Sequence, residues 1–108
     1  MPKKKLKRIL RLPSIDNVIN NPYKLKGEWH VGYFHNSFPI TIELGCGKGD
    51  YVVQLAQKYP QRNFLGIDLK GARLFMGATK AQELGLDNIG FVQMNIFQIA
   101  DVFGVNEV

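Results

Sequence analysis

The sequence predicts an α/β fold in which helices flank one wing of a doubly wound parallel sheet. From residue 39 onward, three short apolar runs alternate with two amphipathic segments in this 108-residue chain. Gly45, Gly47 and Gly49 follow the first run, and Glu43 and Asp68 lie at or near the ends of the first two runs. Strands that alternate with helices are joined by right-handed crossovers, so we expect the strands to be parallel.

The predicted elements follow one another closely. Residues 39–44, 63–68 and 88–95 are predicted strands, and the first is expected to be buried on both faces. Residues 50–59 and 72–84 are predicted helices, and residues 97–103 are expected to begin a third. Pro60 and Gly85 should end the first two helices. Their inward-facing residues are Val52, Val53, Ala56 and Tyr59 in the first, and Leu74, Ala78, Ala81 and Leu84 in the second.

Composition narrows the class of protein. The chain is 45% hydrophobic and 21% charged, as in ordinary globular domains. Its single cysteine, Cys46, excludes an internal disulfide and a multi-cysteine zinc site, and is typical of a reducing cytosol. No apolar run reaches the roughly 18 residues that span a bilayer. His30 and His35 have no further ligands at a suitable spacing, so we expect no metal site.

The net charge of +5 is concentrated in an N-terminal basic arm. After residue 11, eight basic and nine acidic residues nearly balance. A basic arm can neutralise phosphates and release counterions, which indicates a nucleic-acid partner. A solvated tail that aids solubility is an equally weighted alternative. The bases of the arm are Lys3, Lys4, Lys5, Lys7, Arg8 and Arg11.

Residues 12–38 are broken by prolines, asparagines and glycine into short pieces. Trp29, Tyr33 and Phe34 fit one face of a short helix. We expect these aromatic residues to form a cap that closes one end of the sheet.

The glycine-rich bend between the first strand and the first helix predicts the ligand. Glycines permit a sharp turn and let bare backbone approach a bound molecule. The dinucleotide fingerprint fails, because Asp50 occupies the position of its third glycine. Glu43 and Asp50 disfavour a pyrophosphate, whereas S-adenosylmethionine carries no phosphate and offers an ammonium and a sulfonium to Glu43. Asp68, 19 residues past Gly49, is expected to bind the ribose hydroxyls.

Together these residues resemble the tRNA (guanine-N7-)-methyltransferases, which have the Rossmann-like class I methyltransferase fold. The resemblance runs from about Lys26 to the C-terminus. It rests on residues 43–49, 63–73 and 85–89, on Trp29-His30 and Phe34-His35-Asn36, and on Asn95-Ile96.

The resemblance implies which residues bind the cofactor and the substrate. The implied contacts of S-adenosylmethionine are Glu43, Asp68, Asn95 and Ile96, with backbone contacts from Gly45, Cys46, Gly47 and Gly49. Lys70 and Arg73 would join the arm in holding tRNA. The implied reaction is methyl transfer to N7 of a guanine in tRNA, in the cytoplasm. A methyltransferase for a protein or small molecule and a non-catalytic nucleotide-binding module stay open as alternatives.

The predicted topology also suggests a partial domain. Three strands ordered 3-2-1 would leave the glycine-bearing strand at an edge, although such a strand belongs at the centre of a complete sheet. We therefore expect residues 1–38 to form the arm and capping segment, and residues 39–108 to form a truncated cofactor-binding half. Catalytic residues on the acceptor side are expected beyond Val108. The chain alone is expected to be inactive and to self-associate through its open sheet edge.

Overall fold

The computed structural model describes residues 16–108, which form a four-stranded parallel sheet with the strand order β1-β4-β3-β2. The strands are β1 (Val18–Ile19), β2 (Ile40–Leu44), β3 (Asn63–Asp68) and β4 (Ile89–Gln93), and the α-helices are α1 (Asp50–Lys58) and α2 (Gly71–Glu83). Shorter helical turns span Pro22–Leu25, Trp29–Phe34 and Ile96–Asp101. The predicted α/β class and parallel sheet are confirmed.

The sheet register determines where the functional groups meet. Leu44 pairs with Ile67, and Asp68 pairs with Gln93, so β2, β3 and β4 end at the same edge. Because parallel strands present their carboxyl ends together, the loops after these three strands meet there. Ligands of open α/β sheets bind at this edge.

Both α-helices cover one face of the sheet. Each helix turns an apolar stripe towards the strands, as its 3.6-residue period requires. The hydrophobic cluster on this face consists of Val18, Val52, Val53, Ala56, Phe64, Leu74, Ala78, Ala81, Ile89 and Phe91. Gly85, at φ +68°, follows the last turn of α2, and Leu86 N–H reaches back to the carbonyl of Ala81 at 3.0 Å. The prediction that Gly85 ends this helix is confirmed.

The opposite face is covered by the turns that contain Trp29 and Phe103. The Trp29 indole is fully buried, stacks on Phe103 with ring centroids 5.1 Å apart, and donates from Nε1 to the carbonyl of Val102 at 2.7 Å. The Glu107 carboxylate accepts the backbone N–H groups of Gly27, Trp29 and Gly104 at 2.8, 2.9 and 2.7 Å. The bonds from Gly27 and Trp29 join segments about 80 residues apart in sequence and hold the second layer on the sheet.

Several predictions about single elements were wrong. The aromatic residues near Trp29 pack against a face of the sheet rather than closing its end, and they lie in a π-helix. The third helix expected to begin within residues 97–103 is a short 3-10 helix that spans Ile96–Asp101. The short strand β1 was not predicted.

Burial also differs from the sequence interpretation at three places. In β2 only Ile40 is buried, because within residues 16–108 this strand has a neighbour on one side alone. Tyr59 is 42% exposed and Leu84 is 44% exposed, since both lie just past the ends of their helices.

Candidate functional site

The bend after β2 contains three glycines in left-handed conformations. Gly45, Gly47 and Gly49 have φ values of 73°, 58° and 76°. Other residues adopt such angles only at a cost. A Cβ atom at Gly45 or Gly47 would meet no atom within 4 Å, so the space beside the bend is open. Gly49 N–H donates to the carbonyl of Cys46 at 2.9 Å and closes the turn into α1.

Four backbone N–H groups of the bend are engaged inside the protein, those of Gly45, Cys46, Gly47 and Gly49. Those of Gly45 and Cys46 both donate to the carbonyl of Ile67, at 2.7 and 3.1 Å. That of Gly47 donates to Asp68 Oδ2 at 2.8 Å. A phosphate-binding loop needs such groups directed at the ligand. These donors are therefore not free to bind an anion.

Asp68 ends β3 and fixes two neighbouring turns. Its Oδ2 accepts from Gly47, and its Oδ1 accepts from the N–H of Lys70 at 3.0 Å. Partial burial raises the pKa of this carboxyl, but N–H bonds from Lys70, Gly47 and Leu69, aided by the charge of Arg73, outweigh burial and lower the pKa below its usual value. Asp68 is therefore ionised near neutral pH. Each carboxylate oxygen can accept a second hydrogen bond, so the group can also bind hydroxyls.

Glu43 lies one residue before the end of β2 and is partly buried. Its Oε1 is buried without a hydrogen-bond partner within the described residues. Burial raises the pKa of the Glu43 carboxyl above its usual value. A buried carboxylate oxygen without a donor is costly, and such a group in a native fold calls for an explanation. A cationic or hydrogen-donating ligand would provide one.

Cys46 contributes its side chain to packing. Its Sγ lies 2.9 Å from where a Cβ would stand on Gly66, and the residue packs against the cluster beneath the helices. Burial, followed by the charges of Asp68 and Glu43, raises the pKa of the thiol to about 12. Since the thiolate is the reactive form, this cysteine is not suited to act as a nucleophile.

Asn95 follows β4 at the same edge and caps the next helical turn. Its Oδ1 accepts the N–H of Phe97 at 2.9 Å, so the amide oxygen has a structural partner. Three apolar side chains, Leu69, Ile96 and Phe97, are 62%, 39% and 90% exposed beside these strand ends. Ile96 was among the predicted contacts, but Leu69 and Phe97 were not. Leu69 directly follows Asp68, and Phe97 lies two residues after Asn95, so their closeness to these polar residues was the available signal.

The structure describes only two of the basic residues that are expected to bind the substrate. Lys70 and Arg73 are exposed at the start of α2, and Arg73 is close enough to Asp68 to lower its pKa. The bases of the arm, Lys3, Lys4, Lys5, Lys7, Arg8 and Arg11, lie outside the described residues.

A cleft of about 660 Å³ lies at the amino ends of the strands, away from the bend, beside Asp16, Tyr33 and Asp87. We place the candidate site at the bend, because only that edge combines the strand-end carboxylates with exposed backbone.

Among residues 16–108, no group of three or more His, Cys, Asp or Glu residues could hold a metal ion. No helix in this part of the chain could cross a membrane.

This fold, with a glycine bend and two carboxylates at the carboxyl edge, is that of the class I methyltransferases. Residues 37–107 match a family model described as putative methyltransferase. The chain belongs to this family. A solved structure, PKMT2 from Rickettsia typhi in complex with AdoHcy, is similar with a TM-score of 0.53 and 20% identity, over 79% of this chain and 17% of that one.

The relatives with similar sequences are more specific. A tRNA (guanine-N(7)-)-methyltransferase from Christiangramia forsetii is 51% identical over 89% of this chain and 43% of its own length. Proteins of the same name from Bacteroides thetaiotaomicron and Cytophaga hutchinsonii are 42% and 36% identical, over 88% and 100% of this chain. The resemblance to these methyltransferases is thus confirmed. The chain spans between 36% and 50% of the length of these three relatives.

Proposed function

We propose that this chain is the S-adenosylmethionine-binding part of a tRNA (guanine-N7-)-methyltransferase. The buried oxygen of Glu43, which has no partner in the described residues, is the observation that carries the proposal. It stands beside Gly45, Cys46 and Gly47, whose N–H groups are engaged internally, and this combination favours a cationic ligand over a phosphate. The names of the similar relatives support the choice of tRNA as substrate, and the cytoplasm is the location that we propose for that reaction.

Each part of the cofactor has a candidate partner. Glu43 would attract the ammonium group, directly or through water, and Asp68 would accept hydrogen bonds from the ribose hydroxyls. Ile96 and Leu69 offer apolar contact for the adenine, and the amide nitrogen of Asn95 offers a donor to its edge. Bound S-adenosylmethionine would supply a methyl group on a sulfonium and leave as neutral S-adenosylhomocysteine. We assign the acceptor-side roles to no residue of this chain.

A ligand comparison tests the cofactor assignment. The chain should bind S-adenosylhomocysteine with one-to-one stoichiometry in isothermal titration, and it should bind NAD far more weakly. NAD shares the adenosine but adds a pyrophosphate, which would lie near the carboxylates of Glu43 and Asp50, while the N–H groups of Gly45, Cys46 and Gly47 are already engaged. Tighter binding of NAD than of S-adenosylhomocysteine would refute the proposal.

The basic arm is expected to bind tRNA phosphates. Replacing its six bases by glutamine should weaken tRNA binding and flatten its salt dependence, because each lost phosphate contact reduces the magnitude of the negative slope of log K against log salt by about 0.7–0.9. The slope can be measured by filter binding between about 50 and 200 mM salt. The control is a variant with glutamine in place of three lysines that are exposed outside the arm, Lys24, Lys58 and Lys80. An unchanged slope in the arm variant would show that the arm is only a solubilising tail.

The outer edge of β2 is proposed to mediate self-association. Within residues 16–108 this strand pairs with β3 alone, and Thr41 and Leu44 on it are exposed. A free edge offers unpaired N–H and C=O groups to a second chain. We expect a dimer that dissociates on dilution in sedimentation velocity and is weakened by Thr41→Lys but not by Gln57→Lys on α1. A monomer at every concentration would contradict this expectation.

A further inference from the structure

The fully buried ring of Phe91 on β4 is enclosed by glycines from three different elements. Gly49 stands at the start of α1, Gly66 lies in β3, and Gly77 lies in α2. None of these glycines has a side chain that would separate its backbone from the ring. We call this arrangement, Phe91 with Gly49, Gly66 and Gly77, the glycine socket.

The distances show that the socket fits the ring closely. A Cβ on Gly49 would lie 2.8 Å from Phe91 Cε1, and one on Gly77 would lie 2.8 Å from the same atom. A Cβ on Gly66 would lie 3.1 Å from Phe91 Cδ1. Real Cβ atoms are almost never found closer than 3.0 Å, so Gly49 and Gly77 accommodate little but glycine beside the phenyl ring, and a Cβ on Gly66 would be tightly packed against it. A smaller side chain at position 91 would in turn leave a cavity against all three backbones.

The socket also supports the bend from below. Gly49 closes the bend through its bond to the carbonyl of Cys46. A Cβ on Gly77 would lie 2.7 Å from the carbonyl oxygen of Lys48, so α2 touches the bend backbone directly. The ring thus holds together the last residues of the bend, the middle of β3 and the middle of α2. Because protein interiors are closely packed, a displacement of the ring would be passed on to the bend.

We propose that Phe91 is a positioning residue for cofactor binding, which acts by fixing the backbone of the glycine bend relative to β3 and α2. This inference rests on the proposed function, because the bend is taken to contact S-adenosylmethionine. Phe91 itself is fully buried, two residues before the end of its strand, and is assigned no contact with the cofactor.

The chain offers a matched control for the test. Phe64 is also a buried phenylalanine of the cluster beneath the helices, but it lies near the amino end of β3. Phe91→Leu and Phe64→Leu remove the same atoms from the same cluster, so similar losses of stability are expected. Two quantities are measured for each variant well below its melting temperature. They are the affinity for S-adenosylhomocysteine by titration calorimetry, and the ¹H–¹⁵N chemical shift of Gly47, whose N–H reports on the bend through its bond to Asp68.

The proposal predicts a loss of affinity of about tenfold or more in Phe91→Leu, and less than about twofold in Phe64→Leu. The Gly47 amide signal should move in the first variant only. Phe91→Met, which keeps most of the ring volume, should give a smaller loss, and it serves if the leucine variant does not fold. Equal losses in both leucine variants, or an unmoved Gly47 signal in Phe91→Leu, would overturn the proposal. If the unmodified chain failed to bind the ligand, the proposed function would fail, whereas the Gly47 shift would still decide whether Phe91 positions the bend.

Discussion

Replacing Asp68 by alanine is expected to weaken the binding of S-adenosylhomocysteine by about 100-fold or more. Hydrogen bonds to a charged group contribute about 1.5–3 kcal/mol each, and every 1.4 kcal/mol is about tenfold in affinity. The variant loses the proposed bonds to the ribose hydroxyls. It also leaves the N–H groups of Gly47 and Lys70 without their acceptor, so the bend loses an anchor as well.

Titration calorimetry at neutral pH measures this effect. Asp87→Ala is the matched control, because Asp87 is an exposed aspartate between α2 and β4, at the other end of the sheet. Asp68→Asn separates the two losses, since its amide oxygen can still accept one backbone N–H while the negative charge is gone. An Asp68→Ala variant with unchanged affinity would show that the cofactor does not bind at this edge.

Replacing Glu43 by glutamine is expected to weaken cofactor binding and, at the same time, to stabilise the free protein. Affinity should fall by roughly 10–100-fold, as one charged interaction with the ammonium is lost. Stability should rise at pH 7, because the raised pKa of Glu43 means that its ionised form is disfavoured by folding.

The pH dependence follows from the direction of that shift. A carboxyl whose pKa is raised by folding contributes stability below its unfolded pKa of about 4.3, and this contribution is lost as the pH rises through the folded pKa. The stability advantage of Glu43→Gln should therefore be present at pH 7 and disappear as the pH falls towards about 4. Thermal unfolding across this range measures it, with Glu83→Gln on the exposed side of α2 as control. A variant less stable than the parent protein at pH 7 would contradict the assignment.

The sequence was sufficient to predict the parts of the fold that depend on local patterns. The alternation of apolar runs and amphipathic helices predicted the parallel order of β4, β3 and β2. Gly45, Gly47 and Gly49 could be assigned to a bend because their spacing leaves few other structures. Asp68 could be placed beside that bend because parallel strands end at one edge of a sheet.

Features that depend on distant contacts could not be predicted. The two residues of β1 form a strand only because β4 offers a free edge, and nothing in their own sequence requires it. The role of Glu107 depends on N–H groups of Gly27 and Trp29, about 80 residues away. The glycine socket was missed for the same reason, since Gly66 and Gly77 resemble ordinary interruptions of a strand and a helix until Phe91 is seen between them.

The partly buried position of Cys46 bears on how this chain reacts with peroxides. Peroxides attack thiolates, and a thiol with a pKa of about 12 contains almost none at the pH of a cell. The single thiol of this chain therefore resists conversion to sulfenic acid, although it lies in the loop that is proposed to contact the cofactor. Methyl-donor binding should survive peroxide concentrations that inactivate enzymes with exposed, acidic thiols.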